Sequence, residues 1–103
     1  MKKTLTAPEI EDVLRHYPEW KLADGKLVRE WTFGNFVEAM AFVNRIAAIA
    51  EDANHHPDID IRYNRVLLSL VSHDAGGVTE RDTAMAGRIT TEMSKFSSLP
   101  YRQ

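Results

Sequence analysis

Three of the four histidines in this sequence, His55, His56 and His73, fall in the stretch after its longest predicted helix. Glu51 stands four residues before His55, one helical turn away. An imidazole has an unperturbed pKa of about 6.5, so near neutral pH one ring can take up a proton while another gives one. A carboxylate beside such a ring orients it or shares its charge. Glu51, His55, His56 and His73 together suit an elimination or a proton transfer on a small polar substrate. Two other readings compete. Three imidazoles and a carboxylate can hold zinc with one open position. Against that, the adjacent His55 and His56 point apart, and no His-x-x-x-His spacing is present. The third reading is that histidines near strand ends are satisfied surface residues. His16 reads that way, as a cation at a helix C-terminus.

For these side chains to work together, the chain must fold them into one place. A length of 103 residues suits a single domain over 1–103. Thr6, Pro8 and Glu9 start a helix over 7–16, with Ile10, Val13, Leu14 and Tyr17 as its apolar stripe and Pro18 ending it. Asp24-Gly25 joins two short strands, 20–23 and 26–33. Asn35 and Glu38 cap a long helix over 36–53, whose apolar face is broad enough to be buried on more than one side. Strands over 58–62 and 66–72 follow, then a helix over 80–96 with Thr79 and Asp82 as its capping pair. The order α-β-β-α-β-β-α predicts an α+β fold, a four-stranded antiparallel sheet with three helices packed on one face.

The second hairpin is the step that would assemble the site. A two-residue turn at Asn64-Arg65 pairs Tyr63 with Val66, Ile61 with Leu68 and Ile59 with Leu70. Extended outward, that register sets His56 opposite His73, although Pro57 cannot donate to the ladder. His55 enters from the end of the long helix.

Composition bounds the partners. Hydrophobic residues make up 44% and charged residues 27%, an ordinary globular balance. The net charge of −2 provides no concentrated basic face for nucleic acid. There is no cysteine, so disulfides, thiol nucleophiles and Cys-based zinc sites are excluded. The N-terminus lacks the apolar stretch of a signal peptide, and no window approaches the length of a membrane span. A cytoplasmic protein is expected.

Read as spaced residues, Glu51, His55-His56-Pro57, Tyr63, His73 and Asp82 resemble the signature of the pterin-4a-carbinolamine dehydratases. Trp20-Lys21-Leu22, Phe33-Gly34-Asn35-Phe36, Ser72-His73-Asp74 and Gly77-Val78-Thr79 extend the resemblance over nearly the whole chain. Ile59 stands where some members carry an aromatic residue. The resemblance implies a hydro-lyase that dehydrates 4a-hydroxytetrahydrobiopterin to quinonoid dihydrobiopterin, with no metal and no bound cofactor. It implies His55, His56 and His73 as catalytic residues, with His55 and His73 as the acid–base pair and His56 orienting the ring. Glu51, Pro57, Ser72 and Asp74 would contact the substrate or support the histidines, and Asp82 would serve chiefly as a helix cap. It further implies a homodimer or homotetramer and a functional link to an aromatic amino acid hydroxylase. The alternative from another class is a non-catalytic dimerisation or interaction module of the same fold.

Overall fold

Helix α1, Ala7–His16, begins at a reciprocal capping box. The Glu9 N–H donates to Thr6 Oγ1 at 3.3 Å, and the Thr6 N–H donates to the Glu9 carboxylate at 2.7 Å. These bonds from Thr6 hold the Glu9 carboxyl below its ordinary range. The computed structural model describes residues 3–96. After α1 come strands β1, Lys21–Ala23, and β2, Lys26–Thr32. Asp24 and Gly25 turn between them with φ of 52° and 75°, the positive pair that a two-residue hairpin needs. Helix α2, Phe36–Ala53, is capped by Asn35, whose side chain accepts from the Glu38 N–H at 2.9 Å. Strands β3, Asp58–Arg62, and β4, Arg65–Leu70, precede helix α3, Glu80–Phe96.

The strands form one sheet in the order β1-β2-β4-β3, antiparallel throughout. Leu27, Trp31, Val66, Leu68 and Leu70 share one buried face, and the helices cover it. The alternate positions Glu30, Thr32 and Arg65 face water. The predicted α+β architecture is the observed one. An aromatic cluster joins its layers: Trp20 meets Trp31 edge-on at 5.8 Å, and Phe42 lies 4.7 Å from Trp31 and 5.1 Å from Phe33. The buried Trp20 indole N–H donates to Thr90 Oγ1 on α3 at 3.0 Å. Helix α2 buries Ala39, Phe42, Ile46, Ile49 and Ala50, whereas Phe36 and Val37 in its first turn stay exposed.

The register of the second hairpin corrects the expectation. Ile61 pairs with Val66, Ile59 with Leu68 and Asp58 with Ser69, so the turn is Tyr63-Asn64. The pairing is displaced by two residues from the expected one. Asn64 explains the displacement, because it is held from outside the hairpin. Its carbonyl accepts from the Phe33 N–H at 2.8 Å, and its side-chain amide donates to the Phe33 carbonyl at 2.9 Å. Tyr63 takes the positive φ of 52° in consequence. A shift of two keeps every side chain on its face, so the core is unaffected. It does undo the pairing of His56 with His73. Extending the observed register sets His55 opposite Ser72, and the ladder has ended by then. Ser72 bridges only Gly77, enclosing a tight turn that carries His73 and Asp74.

Candidate active site

Three segments meet around His55: the end of α2, the 72–77 turn and the first turn of α3. Helix α2 stops because Asn54 adopts the left-handed conformation, φ 51° and ψ 43°. Its N–H bonds back to the Ala50 and Glu51 carbonyls, and the His55 N–H reaches the Ala50 carbonyl at 3.1 Å. The chain reverses here, so the two adjacent histidines diverge. His55 turns inward and is 9% exposed, while His56 faces water.

The inward ring finds a buried carboxylate. His55 Nε2 lies 2.6 Å from Asp82 Oδ1, and Asp82 is 0% exposed. The other oxygen, Oδ2, accepts from the Thr79 N–H at 2.9 Å and from the Ser72 hydroxyl at 2.8 Å. Ser72 Oγ is also 2.8 Å from Thr79 Oγ1. The Ser72 proton is committed to Asp82, so the Thr79 hydroxyl donates to Ser72. Thr79 Oγ1 in turn accepts from the Arg81 N–H at 3.2 Å. Thr79 is therefore the helix cap, and Asp82 closes the cap from three residues inside. Three donors on one carboxylate offset the cost of burying it.

The outward ring has a looser partner. His56 Nε2 lies 2.6 Å from Glu51 Oε2, with both side chains largely in water. His73 is exposed on the 72–77 turn. Asp74, beside it, accepts from Arg81 Nη2 at 2.5 Å. Pro57 is half-buried and delivers the chain into β3. The structure thus joins His55 with Ser72 and Asp82, His56 with Glu51, and Asp74 with Arg81.

A cavity of about 240 Å³ opens beside His55, lined also by Ala53, Arg81, Ala84, Met85 and Arg88. Ala53, Ala84 and Met85 give it an apolar part, and two guanidinium groups border it. Arg88 pairs with Asp52 at 2.8 Å across the α2–α3 seam, and the Arg81 Nε is buried without a hydrogen-bond partner. Sequence reasoning passed over this lining. Residues 81, 84, 85 and 88 recur at helical spacing, so a stripe on one face of α3 was the available signal. Among the described residues, no group of three or more His, Asp or Glu side chains is placed to hold a metal ion.

The family model described as pterin 4 alpha carbinolamine dehydratase matches residues 3–92. The chain belongs to that family. Among its members, a protein of Acidobacterium capsulatum, provisionally named a pterin-4-alpha-carbinolamine dehydratase, is 58% identical over 85 residues, covering 82% of this chain and 92% of that protein. One of Thermomicrobium roseum with the same provisional name is 56% identical over 80 residues, 78% of this chain and 86% of the relative. A solved structure described as a transcriptional coactivator/pterin dehydratase from Brucella melitensis superposes with a TM-score of 0.80 at 35% identity, covering 86% of this chain and 97% of that one. A pterin dehydratase-like protein described as a RuBisCO assembly factor in the alpha-carboxysome superposes with a TM-score of 0.59 at 25% identity, over 74% of this chain and 90% of that one.

Proposed function

We propose that this chain dehydrates 4a-hydroxytetrahydrobiopterin to quinonoid dihydrobiopterin and water, as a step in tetrahydrobiopterin recycling. The observation that supports this best is a buried, carboxylate-tethered imidazole, His55, in the wall of a cavity with apolar surfaces. The elimination needs one group to take the N5 proton and another to give a proton to the departing 4a-hydroxyl. The N5 electron pair becomes the new N5–C4a double bond, the C4a–O bond breaks, and the oxygen leaves as water. His55 and His73 are the acid–base pair in this reading. His56, held by Glu51, binds and orients the ring, and Pro57, Ser72 and Asp74 complete the surroundings. The reaction needs no redox partner, because the electrons stay within substrate and product.

The test is a spectrophotometric assay of carbinolamine dehydration. His55→Ala and His73→Ala should each lower kcat by about 10²–10⁴-fold, the usual contribution of a general acid or base. Rates near wild type would sink the assignment.

A second reading, a non-catalytic interaction module, is favoured by the likeness to the RuBisCO assembly factor. It predicts no dehydration by the wild-type chain. Both readings accommodate a homodimer or homotetramer, for which the exposed Phe36 and Val37 of α2 supply apolar surface. Light scattering at several concentrations measures that state. No helix among the described residues is long and apolar enough to cross a membrane. A cytoplasmic setting alongside an aromatic amino acid hydroxylase completes the proposal.

A further inference from the structure

We infer that Asp82 is the positioning residue of His55, fixing its ring in the Nε2–H tautomer and leaving Nδ1 as the proton acceptor. The rate arm of this inference rests on the dehydratase reading, and the tautomer arm does not. A carboxylate offers only lone pairs, so across the 2.6 Å contact the ring N–H donates to Asp82 Oδ1. A neutral imidazole carries one N–H, and Nδ1 is then a lone pair. His55 lines the cavity, so its second ring nitrogen is the one left for a ligand there.

Asp82 is not free to turn away from this task. Its Oδ2 is held by the Thr79 N–H and the Ser72 hydroxyl, and the residue is fully buried, so water does not compete. Its two oxygens divide the work, one closing the α3 cap and the other setting the ring. The His56–Glu51 pair is the internal contrast. Its N···O distance is also 2.6 Å, but the side chains are 57% and 78% exposed, so solvent exchanges with either partner and no tautomer is enforced. His55 is thereby assigned the base role, taking the N5 proton, and His73 the acid role.

Asp82→Asn separates the two tasks. The amide oxygen can still accept from Thr79 and Ser72, which keeps the cap. The NH₂ group then points at His55 and donates to Nε2, which forces the proton to Nδ1. The readout is ¹⁵N NMR of the imidazoles in the full chain, with His55 identified by the signal lost in His55→Gln. The expected wild-type spectrum shows Nε2–H at His55, reversed to Nδ1–H in Asp82→Asn, with kcat down by about 10²–10⁴-fold and KM little changed. An Nδ1–H tautomer in the wild type overturns the inference, and that spectrum decides the matter even if Asp82→Asn does not fold. Lower stability with an unmoved tautomer also overturns it, because a residue that only capped α3 would behave so. A reversed tautomer with an unchanged rate refutes the acceptor role. A wild-type chain without dehydratase activity sinks the functional reading, while reversal in Asp82→Asn still upholds the positioning.

Discussion

Truncating Asp82 to alanine removes a fully buried carboxylate that accepts three hydrogen bonds, and the cost can be worked out donor by donor. The Thr79 N–H is fixed by the backbone and loses its partner outright. The Ser72 hydroxyl, enclosed beside Thr79, loses its acceptor too. The His55 ring can move its proton from Nε2 to Nδ1, so it leaves no stranded donor and adds little. Each orphaned buried donor costs about 1–3 kcal/mol, giving roughly 2–6 kcal/mol for two. Water entering the vacated space can satisfy one of them, which narrows the expected loss to about 2–4 kcal/mol. A domain of this size has about 5–15 kcal/mol in total, so the variant should fold but with its midpoint lowered by roughly 10–30 °C. Asp82→Asn keeps both acceptor contacts through its amide oxygen and should lose less than about 1.5 kcal/mol. Urea unfolding followed by Trp20 and Trp31 fluorescence measures both values. The reasoning is refuted if alanine costs no more than asparagine, or if it costs less than about 1 kcal/mol.

Thr90→Val keeps the shape of the side chain but strands the buried Trp20 indole N–H, and should cost about 1–3 kcal/mol in the same unfolding experiment. Its own hydroxyl donates to the Ala86 carbonyl within the helix, which that carbonyl can forgo. Tyr63→Asn should do the opposite. Tyr63 is exposed with φ of 52°, a conformation asparagine tolerates better, so stability should rise by about 0.5–1 kcal/mol if strain at the turn outweighs the contacts of the ring. A loss of stability there would mean that the tyrosine ring contributes more than its backbone costs.

The elements were legible because their boundaries are local. The Thr6–Glu9 box, the Asp24-Gly25 turn and the Asn35 cap each satisfy backbone groups within a few residues, and all three stand where the sequence places them. The second hairpin failed for the opposite reason. Its turn is set by Asn64 bonding to Phe33, 31 residues away, which outweighs the dislike of tyrosine for positive φ. Apolar matching alone could not choose between registers two residues apart, because both keep the same face inward. Asp82 shows the same division. Its capping role follows from its spacing to Thr79, whereas its contact with His55 spans 27 residues and depends on how α2 and α3 lean together.

That leaning is the adjustable dimension of the site. His55 and His56 share a peptide bond, yet one ring is tied to α3 through Asp82 and the other to the last turn of α2 through Glu51. The Asp52–Arg88 pair crosses the same seam. Two adjacent residues are therefore referred to different helices, one ring to α3 and the other to α2. Repacking at Ile49, Ile89 or Met93, all buried in the core, would change how the two helices lean and with it the His55–Asp82 contact.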